Sequence, residues 1–459
     1  MLSRSEESCE SLSLEPWDDD TRRSNSKAVP FPGTRRAPRL IWLVVCVVIA
    51  GAFFLVAVNQ YFSAQRSRSE LLSSFWPVAQ PHRTDMWEDE NSRTMRALLA
   101  CVTDGTCGQN QTHIVLLASG HFRASIEGRV SGEDIWAKSV LVALQEMGYS
   151  PLVTSGDYSD LVRTYRLFPD FIKVVIAEAY DVDKCYNDPA CVKSPTNPLG
   201  VPIWKLLSFH FWGSPDHPLG GPWTLSPENY PVISRGNGVN NTYLGYSIQR
   251  TCEALPVVPH AERPKQAYVL AKWLSYFHNK EYAWAGVALD DAHAPARFVA
   301  GMIDDEDGKK PVPAGVANFG RLDKKAFYGE LSRSRVLVGI GSPPLSPSPY
   351  DALCMGVPFV NPIFQWDAQH PEDRSAWITQ HDGLKYEHPP HVYNVRKGDA
   401  PAFWKAIQGA MNVAIDRYIP PSMTMEALKA RVGGIVETDW RTRAEDLLMK
   451  EGTEDQFDL

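Results

Sequence analysis

The sequence predicts an α/β protein of two doubly wound, Rossmann-like domains facing each other across a cleft, preceded by a single transmembrane helix. Three observations predict it. Apolar strand-like runs alternate with helical stretches in two separate blocks, the first opening at "HIVLLASG" and the second at "AYVLAKW". The segment from Val336 to Pro362 reads as strand, loop, helix, strand, the order of a βαβ unit. A chain of 459 residues, 44% hydrophobic and 22% charged, is long and apolar enough for two cores.

Taken in order, residues 1–39 are rich in Ser, Asp, Glu and Arg and poor in large apolar side chains, which predicts a disordered cytosolic tail. Leu40 to Val58 is an uncharged run of 19 residues, enough to cross a bilayer as a helix. It starts too late and runs too long for a cleaved signal. Arg35, Arg36 and Arg39 crowd its amino side, so the positive-inside rule keeps the tail in the cytosol and sends the rest to the secretory lumen or the cell exterior. Residues 59–95 read as a stem.

Residues 96–255 form the first predicted domain, with a strand at His113 to Ala118, an amphipathic helix at Glu133 to Met147 and an interior strand at "FIKVVIAEA". Residues 192 to 240 are dense in Pro, Gly and aromatic side chains, which reads either as an insertion lining a cleft or as one packed by its own tryptophans. Residues 256–435 form the second domain, with helices at Asp323 to Ser332, Ala402 to Ile415 and Met425 to Val432, and residues 436–459 read as an acidic tail.

Six of the eight cysteines lie beyond the apolar run. "CVTDGTC" and "CYNDPAC" suit short-loop disulfides, Cys101 with Cys107 and Cys185 with Cys191. Zinc is the rival reading, against which stand the wide spacing and the absence of a following histidine at ligand distance. Cys354 reads as a buried thiol. Asn110 in "NQT" and Asn240 in "NNT" are glycosylation acceptors, in keeping with a lumenal chain. A net charge of −8, with no Lys/Arg run interleaved with aromatics, argues against nucleic acid as a partner.

In "VLVGIGSPPLSPSPYDALCMGVPFVNP", Gly339 and Gly341 let the backbone leave a buried strand sharply, and Pro343, Pro344, Pro347 and Pro349 forbid helix until about Tyr350. Ser348 fits an N-cap followed by proline. The loop after such a strand faces the ligand crevice, and helix-start N–H groups attract phosphate. Asp351 then either grips a ribose or merely favours the helix dipole.

The residues from Lys325 to Val432 resemble the catalytic domain of glycosyltransferase family 18, the N-acetylglucosaminyltransferase V family. "LSRSRVLVGIGSPPLSPSPYDALCMGVPFVNPIF" looks like that family's donor loop, and "HPPHVYNV", "IQGAMNVAIDRYIPPSMTMEALKARV", "AKWLSYFHNK", "NTYLGY" and "GPWTLSPENY" follow the family's order. "GEDIWAKSVLVALQEMGYS" resembles its Gly-Glu helix opening more loosely. The resemblance implies a GT-B fold and an inverting, metal-independent transfer of N-acetylglucosamine from UDP-GlcNAc to a mannose of an N-glycan, on a Golgi type II membrane protein. It makes Glu133 the catalytic base and Asp351 the ribose-binding carboxylate. Two departures stand out: Leu345 replaces a glutamate of the family's turn, and a donor-side lysine has no clear counterpart.

In that scheme Glu133 takes the proton of the acceptor hydroxyl. With no cofactor and no metal, the turn of Gly341, Ser346, Ser348 and Tyr350 presents backbone N–H groups to the diphosphate. Trp223 either stacks on the acceptor sugar or fills the core, and Glu133 taken without the resemblance is a helix-start glutamate serving the dipole. A metal-dependent GT-A reading through Asp181 and Asp183, and a membrane-anchored glycan binder without turnover, are the alternatives. Asp181 with Asp183, and the Asp304 to Asp307 cluster, read on their own as solvated turns.

Overall fold

The computed structural model describes residue 51 and residues 54–60, 86–129, 134–212, 217–230, 239–304, 310–453 and 457–459. Contacts divide the chain into a unit from Met1 to Ser74 and a unit from Phe75 to Leu459. In the first, residues 54–60 are helical with Phe54, Leu55 and Val56 exposed. No helix among the described residues is long and apolar enough to cross a membrane. Most of the predicted span, Leu40 to Val58, lies outside the described residues, as do the tail and most of the stem.

The second unit holds two sheets among its described residues. The first comprises β1 (Ile114–Ala118), β2 (Ser150–Val153), β3 (Ile172–Glu178), β4 (Leu206–Phe209), β5 (Thr224–Ser226) and β6 (Thr242–Tyr243), all parallel in the order β2-β1-β3-β4-β5-β6. Every residue of β1 is buried, as expected where helices cover both faces of a parallel sheet. The second comprises β7 (Gln266–Leu270), β8 (Arg297–Ala300), β9 (Val316–Asn318), β10 (Val336–Gly339), β11 (Phe359–Gln365), β12 (Ile378–Thr379) and β13 (Val392–Arg396). Its order is β12-β11-β10-β7-β8-β9 with β13 also beside β11, parallel except for β12.

Eleven helices belong to this unit: α1 (Trp87–Asp104), α2 (Gly120–Ile126), α3 (Ile135–Glu146), α4 (Tyr158–Leu167), α5 (Ala179–Asn187), α6 (Gln249–Ala254), α7 (Lys324–Arg333), α8 (Ser348–Cys354), α9 (Ala400–Asn412), α10 (Met425–Glu437) and α11 (Trp440–Glu451), counted among the described residues. The stem expectation is corrected at its end, because α1 belongs to the folded unit. Asn91 of α1 donates to Val153 O at 2.6 Å and accepts the Val153 N–H at 2.8 Å, so α1 covers the edge strand β2.

Residues 192–240 are not a surface insertion, since they supply β4 and β5 and bury Trp223. Nor are residues 436–459 a free tail. Trp440, Ala444 and Leu448, spaced four apart, are buried along one face of α11, and the Trp440 ring lies 5.3 Å from that of Trp223. The closing helices therefore return to the first sheet: α10 packs on α3, and Arg431 Nε donates to Leu244 O at 2.9 Å.

One apolar core runs between the sheets, from Trp136, Leu207 and Trp223 to Leu337, Tyr350 and Phe359. Trp136 of α3 stacks on Phe209 at 3.6 Å between ring centres, which sets the first turn of α3 at the carboxyl end of β4.

Candidate functional site

The chain order reverses between β7 and β10 in the second sheet and between β1 and β3 in the first, and ligands of open α/β sheets bind at such points, beyond the carboxyl ends of the strands. Both places carry a cluster of polar residues.

After β10 the chain leaves through Ile340 and Gly341. Gly341 has φ 123°, and a Cβ there would lie 2.1 Å from Glu281 O, so only glycine fits. Gln380 holds the loop from beneath: its Oε1 accepts the Gly341 N–H at 2.8 Å, its Nε2 donates to Pro343 O at 3.1 Å, and its backbone carbonyl accepts the Leu345 N–H at 3.0 Å. Leu345, at φ 52°, is buried against Tyr230, whose own hydroxyl donates to Phe211 O. The position where the family carries a glutamate is thus an apolar contact between the two halves.

Of the four amides predicted to cradle a diphosphate, those of Gly341, Ser348 and Tyr350 are already bonded within the protein. Pro347 and Pro349 have no N–H, the Ser348 N–H is bonded to Ser346 Oγ at 3.3 Å, and the Tyr350 N–H to Pro347 O at 3.0 Å. α8 begins at Ser348 with Pro347 as its cap residue, one position earlier than expected. Tyr350 does not face a ligand either: it is 1% exposed and packs edge-on against Tyr246 and His381.

Asp351 does reach a cavity. It lines a space of about 110 Å³ with Ile135, Lys138 and Ser139 of α3, Arg250 of α6, and Lys324 and Tyr328 of α7. Burial pushes its carboxyl up to about 7, opposed by the Tyr328 hydroxyl that donates to it and by the Lys324 charge. One carboxylate among three cations, between the two sheets, suits a ligand that offers both hydroxyls and negative charge.

At the switch point of the first sheet, Ser119 Oγ accepts the His121 N–H at 3.2 Å and donates to the Glu178 carboxylate. His121 Nδ1 lies 2.5 Å from Asp134 Oδ1. Asp134 is the cap residue of α3, yet it makes no side-chain cap bond there. Burial pushes the Glu178 carboxyl up, and Ser119 and His121 oppose the shift. Beside them opens a cavity of about 860 Å³ lined by Glu178, Tyr180, Asp181, His210 and Trp212 among others. Ser119, His121, Asp134 and Glu178 were missed by sequence reasoning, because no motif joins residues 59 positions apart. Their placement at strand ends was the one signal.

Glu133 lies outside the described residues, immediately before Asp134. Trp223 is corrected to a core residue: it is 2% exposed, its Nε1 donates to Trp204 O, and His217 and Trp440 cover its ring, so no face is left for a sugar. Asp181 and Asp183 sit on α5, not in a solvated turn, and Asp181 is buried. Asp304 is exposed, and its three acidic neighbours lie outside the described residues. Among the described residues no group of three or more His, Cys, Asp or Glu side chains could hold a metal ion.

Cys101 pairs with Cys107 and Cys185 with Cys191. Cys354 is not a thiol; it is bonded to Cys252, 102 residues earlier, tying α8 to α6. Asn240 is exposed, whereas Asn110 Nδ2 donates to Met147 O at 2.9 Å.

A profile of glycosyltransferase family 18 matches residues 216–445, half of the chain. The chain belongs to glycosyltransferase family 18. The stretch that matches family 18 contains Asp351, Gln380 and Tyr328, whereas His121, Asp134 and Glu178 precede it. The alpha-1,6-mannosylglycoprotein 6-beta-N-acetylglucosaminyltransferase A of Homo sapiens is 24% identical over 229 residues, 47% of this chain and 30% of that protein. The B enzyme of Mus musculus is 25% identical over 232 residues, 47% and 28%. The aligned part therefore spans under a third of those relatives' length. Among solved structures, sucrose-phosphate synthase from Thermosynechococcus elongatus covers 75% of this chain and 99% of its own at 11% identity, with a TM-score of 0.36. Anabaena HepE in complex with UDP covers 74% and 100% at 10% identity, TM-score 0.36.

Proposed function

We propose that this family 18 glycosyltransferase has the GT-B arrangement and moves N-acetylglucosamine from UDP-GlcNAc to a mannose hydroxyl of an N-glycan, with inversion and without a metal, in the secretory pathway. The relatives that carry this activity by name support the reaction class, and the three disulfides support an oxidising compartment. The observation that carries the reading is the Asp351 cavity, in which one carboxylate sits among Lys138, Arg250 and Lys324.

In this reading Asp351 accepts the ribose hydroxyls and Tyr328 orients it. Negative charge develops on the phosphate as the anomeric bond breaks, and Lys324, Lys138 and Arg250 meet it where the Ser348 and Tyr350 amides of the proline-rich turn are already bonded. Ser346 and Ser348 offer hydroxyls at the edge of the turn. The base that the family resemblance implies is Glu133.

The test is a donor screen on the purified protein, read as release of UDP or GDP. UDP release from UDP-GlcNAc that persists in EDTA supports the reading. Release that needs Mn²⁺ turns attention to Asp181 and Asp183, and a protein that binds glycans yet releases no nucleotide from any donor is a binder.

A further inference from the structure

The cavity of about 860 Å³ at the first sheet has no part in holding the donor, and its lining differs in kind from that around Asp351. We propose that it seats the sugar acceptor, taking an uncharged glycan and turning away glycans that carry acidic groups. That the bound sugar is an acceptor rests on the transfer reading above; that a neutral glycan binds there rests on the cavity alone.

β3 and β4 run parallel with Glu178 beside Phe209, and the cavity opens where both strands end. α5 begins at that point. Tyr180, Asp183 and Tyr186 follow at intervals of three and share one face of the helix. All three are exposed, Tyr180 at 68%, whereas Val182 and Cys185 bury another face in the core. The bond from Cys185 to Cys191 pins the helix. Beyond β4, Trp212 is also exposed; its N–H donates to His210 Nδ1 at 3.2 Å and its ring packs edge-on against Phe211. Tyrosine and tryptophan rings held in this way give an apolar face to a sugar ring at little cost in side-chain entropy.

The carboxylates of Glu178, Asp181 and Asp183 line the same space, and among its described lining residues there is no Lys or Arg. His217 adds no charge, since burial pushes its imidazole down to about 3. Lys184 is committed elsewhere, with Nζ 4.0 Å from Asp181 Oδ1 and 4.2 Å from the centre of the Tyr180 ring. Carboxylates accept hydrogen bonds from sugar hydroxyls and repel phosphate or the carboxylate of an acidic sugar. The Asp351 cavity, with Lys138, Arg250 and Lys324, has the opposite balance. The two spaces thereby sort a charged donor from a neutral acceptor. Tyr180, Asp181, Asp183, His210 and Trp212 all precede residue 216, where the match to family 18 begins, so that match assigns none of them.

The experiment titrates the full chain by calorimetry, with and without UDP. Its two ligands are an N-glycan of mannose and N-acetylglucosamine and the same glycan phosphorylated on its terminal mannoses. The neutral glycan is expected to bind about tenfold more tightly or better. Tyr180→Ala should weaken it about tenfold while UDP affinity and thermal unfolding stay unchanged. Asp183→Asn should narrow the gap between the two glycans by about threefold, and because Asp183 is exposed this variant is informative even where Asp181→Asn fails to fold. No binding of the neutral glycan, equal affinity for the two glycans, or neutral binding untouched in both Tyr180→Ala and Trp212→Ala overturns the inference, and sugar transfer by the wild type then shows the transfer reading intact. Selective binding of the neutral glycan by a protein that transfers no sugar to it overturns the transfer reading and upholds the glycan site.

Discussion

Gln380 Oε1 accepts the Gly341 N–H at 2.8 Å, and through this bond β12 and its following turn hold the loop that leaves β10. A Cβ on Gly339 would lie 2.4 Å from the same Oε1. The amide is therefore wedged between two glycines, and the loop takes its shape from a residue 39 positions away.

Gln380→Ala removes two of the three ties described above and leaves the one made by its backbone. Leaving the buried Gly341 N–H and Pro343 carbonyl unpaired costs about 1–3 kcal/mol each, and the loop that carries Asp351 loosens. A roughly tenfold loss of UDP affinity by calorimetry, with a lowered Tm, is expected. Unchanged UDP affinity in a folded variant counts against the loop as a donor element.

Asp351 titrates where enzymes work, because burial pushes it up to about 7. A carboxylate accepts two ribose hydroxyls and its protonated form does so poorly, so UDP binding should strengthen as pH rises through about 7. Asp351→Asn weakens binding at high pH and flattens this dependence. Calorimetry across the range decides, and an Asn variant with an unaltered pH profile removes Asp351 from the ribose.

Glu228 is buried beside Tyr350 and Gly383, and burial, with the Asp382 charge adding to it, pushes its carboxyl up to about 8 from an ordinary 4.5. The folded state holds this proton longer than the unfolded chain does. Its contribution to stability is thus complete below about pH 4.5 and is lost as pH rises to about 8. Glu228→Gln keeps the neutral shape, so its Tm should fall less than that of the wild type between mildly acidic and alkaline buffer. Parallel Tm curves would show that Glu228 does not titrate there.

The tryptophans separate core from cleft. Trp223→Ala should cost about 3–5 kcal/mol of stability, since its ring is covered on all sides. Trp212→Ala, at 46% exposure, should change stability by less than about 0.5 kcal/mol and raise the acceptor KM instead. A stable Trp223→Ala protein, or an acceptor KM untouched in Trp212→Ala, contradicts this assignment.

The bond between Cys252 and Cys354 closes a loop of about 100 residues and anchors the end of α8. Breaking it with Cys354→Ser should cost about 2–4 kcal/mol and lower UDP affinity. Peptide mapping without reduction checks the pairing directly, and a free thiol at Cys354 would refute it.

How much of this was legible varies with range. β3 and β10 were readable because strands buried on both faces are continuous apolar runs, and α7 because Asp323 caps it through the Ala326 N–H. The donor loop announced itself through glycine and proline punctuation. Composition misled at residues 192–240, where aromatic and proline density marked strands of the first sheet. It misled again at residues 436–459, where acidic side chains on the outer face of α11 hid the buried Trp440, Ala444 and Leu448.

By itself, the amino-acid order determined the strand-helix alternation, the sharp exit after β10, the acid at position 351 and the two short disulfide loops, because each depends on neighbours within a few residues. Only the tertiary structure decided which amides were already spent, which tryptophan is covered, and that His121, Asp134 and Glu178 meet at one strand end. Those facts are contacts between segments brought together by the burial of two sheets, and local chemistry carries no record of them.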